Sequence, residues 1–271
     1  MALTHDIQCA SNMNETTSTL FLDVGGAFDH VSKLQLMQVL RKMRLPTPLL
    51  NWVSTFLSER QLGLVFDGER EQMRPIVTGI PQGSPTSPIL FLFYIRDLFY
   101  TLNKSHPDVT SPSYIDDIAL AVRGNSVVEN CRKLEETVKT AFEWAEANSV
   151  AFDESKTEFI HFHKKRSNEG HSNAGLTLPN GRVINPITEV RWLGVWFDRK
   201  LDFKEHVERR VIAAKRVTHA VCRLATSEWG LSAPVFRQLY LTCIATVRGV
   251  EVASSLPVRG TPYEPLWLSH I

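Results

Sequence analysis

Short apolar runs broken by glycine and proline alternate along this chain with longer stretches of helical periodicity. The run Leu20-Phe21-Leu22-Asp23-Val24 is apolar around a single acid and closes on Gly25-Gly26, the pattern of a buried strand ending in a turn. From Ser32, placed as an N-cap, Leu34, Met37, Val39, Leu40 and Met43 recur at helical spacing, and Pro46 opens a second helical stretch, Leu49 to Leu57. Leu62 to Phe66 and Met73 to Val77 read as two strands of a hairpin around Asp67-Gly68. A Gly/Pro/Ser loop, Gly79 to Pro88, leads into an apolar helix, Ile89 to Leu102. Ser113 to Val122 is β-type on both sides of Asp116-Asp117, which predicts a hairpin with the acidic pair at or near its tip. A long amphipathic helix, Asn125 to Asn148, carries Val128, Cys131, Leu134, Val138, Phe142 and Ala145 on one face.

The second half is less regular. Phe159 to His163 alternates as a strand, Lys164 to Gly175 is a polar loop, and further strands are expected at Leu176 to Leu178 and Val190 to Phe197. From Asp202 the pattern turns helical and basic, a further helix runs from Pro234 to Val247, and periodicity is lost after Gly249. The residues up to Thr19 are polar and expected to form a loose lead-in. Strands mixed irregularly with helices point to an α+β fold.

Composition narrows the class. With 271 residues, 43% hydrophobic and 22% charged, the chain matches a soluble globular protein with a sizeable core. The net charge of +1 means that any nucleic-acid contact must come from local clusters of Lys and Arg. Cys9, Cys131, Cys222 and Cys243 form no CxxC pair, which argues against a zinc ribbon or a secreted disulfide framework and for buried, reduced thiols. The longest apolar run, Ile89 to Ile95, is too short to span a bilayer, and no secretory signal is expected. The protein is therefore expected to be intracellular, in the nucleus or cytoplasm, with the mitochondrion as the alternative.

Three carboxylates stand out by context. Asp23 ends a buried strand, and Asp116 and Asp117 sit on a hairpin. Acids at strand ends of one sheet can converge, and converging carboxylates repel and are costly to desolvate. Hard divalent cations remove that cost, and Mg²⁺ usually bridges carboxylates to substrate phosphates. Each residue also has a plainer account. Asp favours turns, Phe28 and Trp192 suit a core, and Lys156 suits a solvated surface. The basic helix after Asp202 suits a solvated face paired through Glu205 and Glu208. His161-x-His163 has no third ligand and is set aside as a metal site.

The order of the pieces adds to this. Leu22-Asp23-Val24-Gly25-Gly26-Ala27-Phe28-Asp29 resembles motif A of reverse transcriptases, and Gly79-Ile80-Pro81-Gln82-Gly83-Ser84-Pro85 resembles motif B. Tyr114-Ile115-Asp116-Asp117 is similar to motif C, the Lys156 region (Phe152 to Glu158) to motif D, and Arg191-Trp192-Leu193-Gly194-Val195 to motif E. The style is that of non-LTR retrotransposon polymerases, the fungal kind most of all, with group II intron polymerases as the nearest competitor. The family usually carries Lys where Gly25 stands.

The resemblance implies a right-hand polymerase palm, an antiparallel sheet with helices packed on one face, followed by a helical thumb, with the fingers largely absent. Residues 1–19 would be a remnant of the fingers, 20–198 the palm, 199–250 the thumb-like region and 251–271 an irregular tail. The activity implied is RNA-directed DNA synthesis from a primer 3′-hydroxyl by two-metal nucleotidyl transfer, with RNA template, DNA primer and dNTPs as partners and no membrane. Two Mg²⁺ ions, with Mn²⁺ as a possible substitute, would be held by Asp23, Asp116, Asp117 and the Val24 carbonyl. Phe28, as a steric gate, and Gln82, Gly83 and Lys156 would meet the nucleotide. Trp192, Leu193 and Gly194 would hold the primer end, and Lys204, Arg209, Arg210, Lys215 and Arg216 the nucleic-acid backbone. The alternative is a catalytically inactive retrotransposon remnant that keeps the palm and weak nucleic-acid binding.

Overall fold

A computed structural model of the protein describes residues 2–163, 173–223 and 232–245. Helix α1 (Ala2–Asn12) precedes strand β1 (Thr16–Asp23). The loose lead-in expected before residue 20 is thus largely a helix and the start of a strand. Leu3, Ile7 and Ala10 stand at helical spacing among polar neighbours and are buried, and α1 packs against β1.

Next come α2 (Lys33–Lys42), capped by the Ser32 side chain, and α3 (Thr47–Phe56), with proline in its first turn. The expected hairpin exists as two small ladders. Strand β2 (Gln61–Leu62) pairs with β5 (Arg74–Pro75), and β3 (Val65–Phe66) pairs with β4 (Glu69–Arg70) around Asp67 and Gly68, both at positive φ. Helix α4 (Ser87–Ser105) starts two residues earlier than the apolar run suggests. Strands β6 (Val109–Thr110), β7 (Ser113–Tyr114) and β8 (Asp117–Gly124) lead to α5 (Val127–Ala147), capped by Ser126.

A one-turn 3₁₀ helix, Glu154–Lys156, precedes β9 (Glu158–Phe162), which is followed by the small hairpin of β10 (Leu176–Thr177) and β11 (Val183–Ile184). The single strand expected over 190–197 is broken into β12 (Glu189–Trp192) and β13 (Val195–Asp198), because Leu193 and Gly194 both take positive φ. Helices α6 (Lys204–Cys222) and α7 (Ala233–Leu239) follow, and α7 continues as a π-helical segment to Ala245. Most of the polar loop expected after His163, the end of the last expected helix and the 251–271 tail lie outside the described residues.

The main sheet is antiparallel, in the order β6-β8-β1-β9, with β7 also on β8. Leu20 and Leu22 of β1 join Leu98 of α4 and Leu134 and Val138 of α5 in one core cluster, so the expected helix-covered antiparallel sheet is present. The polar start of β1 is buried too. Ser18 Oγ lies 2.8 Å from His161 Nδ1, and Asn130 Nδ2 donates to the Thr16 carbonyl at 3.0 Å and to Ser18 Oγ at 3.3 Å. His161 Nε2 donates to the Ala174 carbonyl at 3.0 Å, so both ring nitrogens are occupied within the protein.

Residues 2–193 with 198–201 form one compact unit, and residues 194–197 with those from 202 on form another. In the second unit Phe197 and Phe203 meet edge to face, and His206 accepts from the Trp196 backbone N–H. Among the described residues no helix is long and apolar enough to cross a membrane. All four cysteines are free, but only Cys131 is buried, where desolvation pushes its thiol up to about 11, and Cys222 is exposed.

Candidate active site

The end of β1 is held from both sides by backbone hydrogen bonds. On one side Asp23 stands opposite Asp117 in the β1–β8 register, and the Val24 N–H donates to the Asp116 carbonyl at 3.3 Å. On the other, Asp153 N–H donates to the Asp23 carbonyl and Gly25 N–H to the Ala151 carbonyl, each at 2.8 Å. Tyr114 pairs with Asp117, so Ile115 and Asp116 form the tip of the predicted hairpin and Asp117 opens the strand. Ile115 has φ +58°, a region that a β-branched residue enters only under strain.

The side chains carry a concentrated negative charge. Burial raises the Asp117 carboxyl above its ordinary range, the charges of Asp116 and then Asp23 raise it further, and Lys156 acts against them. Lys156 Nζ donates to Asp23 Oδ2 at 2.9 Å and lies 3.4 Å from Asp153 Oδ2. These two acids raise the lysine above its usual value, with Asp23 the larger influence. Asp153 is lowered, chiefly by the Ser155 hydroxyl and backbone N–H that it accepts. Lys156 is thus the internal counter-ion of the cluster.

Asp23, Asp116 and Asp117 are hard oxygen donors, and the repulsion that raises Asp117 is what a bound divalent cation would relieve. Among the described residues no three His, Cys, Asp or Glu side chains form a ready-made metal cage. Mg²⁺ does not need one, since one or two carboxylates with substrate phosphates and water suffice. The donor set fits the ion.

Motif B is docked on the tail of motif A. Ile80 N–H donates to the Phe28 carbonyl at 2.7 Å, Gly79 N–H donates to the Val31 carbonyl at 2.9 Å, and Arg60 Nη1 donates to the Gly79 carbonyl at 2.7 Å. The Phe28 ring is half-buried, 5.7 Å from the ring of Phe91. Gln82 Nε2 lies 3.0 Å from both carboxylate oxygens of Asp29. Gly83 has φ +82° and open space where a Cβ would be.

Trp192 is buried with its ring 5.6 Å from that of Phe21, two residues before Asp23 on β1, and Leu193 and Gly194 form the turn after it. The basic residues of α6 belong to the second unit. There Lys204, Arg209, Lys215 and Arg216 are exposed and Arg210 is half-buried. Arg209 pairs with Glu205 at 2.6 Å and lies 3.9 Å above the Trp196 ring. The structure therefore gathers Asp23, Asp116, Asp117 and Lys156, and links Phe28 to Gln82 through the 28–31 backbone and Asp29. Sequence reasoning gave no role to Asp29 or Asp153. The Asp153-x-Ser155 spacing, suited to an Asx turn, was the available signal for the second.

The sequence pattern described as reverse transcriptase (RNA-dependent DNA polymerase) matches residues 1–197. The chain is 30% identical over 190 residues to the RNA-directed DNA polymerase from mobile element jockey of Drosophila melanogaster, covering 69% of this chain and 20% of that protein. It is 26% identical over 234 residues to the probable RNA-directed DNA polymerase from transposon X-element of the same fly, covering 83% and 24%. The chain thus spans only about a fifth to a quarter of these relatives. Its fold is similar to that of apo telomerase from Candida tropicalis truncated from its C-terminal domain, with TM-score 0.50 and 11% identity over 74% of this chain and 39% of that one.

Proposed function

The chain belongs to the reverse transcriptase family, and we propose that it carries the palm of an RNA-directed DNA polymerase that extends a primer 3′-hydroxyl. The observation that carries this reading is the placement of Asp23 opposite Asp117 in the β1–β8 register, with Asp116 at the adjoining hairpin tip. The family generally works with divalent metal. Asp23, Asp116, Asp117 and the Val24 carbonyl are the groups that would hold two Mg²⁺ ions, or Mn²⁺ in their place. When bound, the ions lower the pKa of the attacking hydroxyl and neutralise charge on the leaving group.

The chain's own residues have separate tasks in this reading. Phe28, backed by Phe91, walls the sugar side of the nucleotide, and Gln82 and Gly83 line it from motif B. Lys156, already protonated and close to Asp23, supplies a positive charge and a transferable proton for the departing pyrophosphate. Trp192, Leu193 and Gly194 support the primer end. The exposed Lys and Arg of α6 follow the phosphate backbone of the RNA–DNA duplex.

Primer extension on an RNA template with a DNA primer, dNTPs and Mg²⁺ tests the proposal. Asp116→Asn should lower the rate about a hundredfold or more. Extension indifferent to that substitution rejects the assigned site. Salt-sensitive binding without any extension by the intact chain supports the inactive-remnant alternative instead.

A further inference from the structure

The turn that bears Lys156 is held from two sides at its leading residues, Asp153 and Glu154. Its leading residue, Asp153, is fixed to β1 by the hydrogen bond to the Asp23 carbonyl. From the other side comes the β10–β11 hairpin, which the motifs leave without a role. Arg182 Nη1 donates to the Glu154 carbonyl at 2.7 Å, and Asn180 Nδ2 donates to the Glu154 carboxylate. The hairpin tip is closed on itself. Leu178 N–H donates to the Arg182 carbonyl at 2.8 Å, Arg182 N–H donates to Asn180 Oδ1 at 2.9 Å, and Gly181 takes φ +86°.

The hairpin is also anchored at its base. Leu176, Leu178 and Ile184 are buried in the main core, and the Thr177 N–H donates to Glu135 Oε1 of α5 at 2.7 Å. A long flexible lysine is placed only as well as its backbone is placed, and sites held by supporting hydrogen bonds lose function when that support loosens. Glu154 opens the single helical turn that ends at Lys156, so a donor on its carbonyl fixes the turn itself.

We infer that the β10–β11 hairpin clamps the Lys156 turn, with Arg182 and Asn180 as positioning residues that hold the lysine against the carboxylate cluster. The inference rests on the reading of Lys156 as a participant in nucleotidyl transfer, and the experiment separates the two.

Hydrogen–deuterium exchange on the full chain reads the clamp directly, because the Lys156 N–H donates to the Asp153 carbonyl and the Thr157 N–H to the Glu154 carbonyl within the turn. In Arg182→Ala these two amides should exchange about tenfold faster, the scale of one lost hydrogen bond. Arg182→Lys, which keeps a donor, should stay near the parent, and the β1 and β8 amides should not change in either variant. Unchanged exchange at 156 and 157 in Arg182→Ala overturns the clamp, and so does general loss of protection with no excess at the turn in both Arg182→Ala and Asn180→Ala.

Primer extension then reads the coupling. Arg182→Ala should lower kcat about three- to tenfold with the KM for dNTP unchanged, and should add nothing in a Lys156→Met background. An equal loss in that background overturns the positioning role. Absence of extension by the parent chain rejects the polymerase reading alone, and amide exchange still decides the clamp.

Discussion

Lys156 Nζ stands 2.9 Å from Asp23 Oδ2 although 133 residues separate them, so a cation of the protein already occupies part of the carboxylate cluster. A divalent ion binding at Asp23 must compete with it. Lys156→Met should therefore tighten Mn²⁺ binding, followed by electron paramagnetic resonance, by about two- to fivefold, the range that a largely exposed ion pair permits. The same variant should slow extension, since the positive charge at the leaving group is lost. Metal binding unchanged or weaker in Lys156→Met would show that the lysine does not contend for the site.

Asp117 carries the opposite imbalance. Burial and the charges of Asp116 and Asp23 disfavour its ionised form, so the metal-free fold holds a repulsion that an amide would remove. Asp117→Asn should raise the melting temperature at neutral pH without added metal by about 1–3 °C. Mg²⁺ should stabilise the parent more than the variant, which reverses or erases the difference. A variant less stable than the parent without metal would contradict the repulsion.

Two motif glycines should respond oppositely to the same substitution. A Cβ on Gly79 would stand 2.7 Å from the Asp29 carbonyl oxygen and 2.9 Å from that of Phe28, at φ +77°. Gly79→Ala must push motif B off motif A, and a cost of about 2–4 kcal/mol in urea denaturation is expected. Gly25 has ordinary negative φ and its nearest Cβ contact is 3.5 Å, so Gly25→Ala should be neutral or stabilising by up to about 1 kcal/mol.

Much of this arrangement was legible in the sequence, for a physical reason. β1 and the Asp116-Asp117 hairpin are apolar runs closed by turn residues, and apolar periodicity reports burial directly. The order of the motifs then put Asp23, Asp116 and Asp117 together, as the fold does, and assigned Lys156 to the same site without its contact to Asp23. What stayed hidden depends on contacts between distant segments. Helix α1 was missed because the Asn, Ser and Thr residues crowded from Ser11 to Thr19 set the character of the whole lead-in and mask the spacing of Leu3, Ile7 and Ala10 ahead of them. The break of the expected 190–197 strand had a signal in Gly194, whose positive φ turns the chain. Nothing local to Asn180 or Arg182 indicates that they reach Glu154, because that partnership is set by how the hairpin base seats on α5.

The buried polar network at the start of β1 gives a prediction about acid. His161 is neutral in the fold, accepting from Ser18 and donating to Ala174. Burial is the main cause that lowers its pKa, the neighbouring Arg199 and His163 add to it, and the Ala174 carbonyl opposes them. The folded pKa therefore lies below the unfolded value near 6.5, and as pH falls the unfolded chain takes up the proton first. The stability from neutral His161 is complete above about pH 6.5 and is lost as pH drops toward the lowered folded pKa. Denaturation at pH 7.5 and 5.5 should show a loss for the parent and a smaller one for His161→Gln. Ser18→Ala should cost about 1–3 kcal/mol at pH 7.5, because the ring nitrogen then lacks its donor and Asn130 loses an acceptor. An equal acid sensitivity in parent and His161→Gln would show that another group governs the pH response of the sheet.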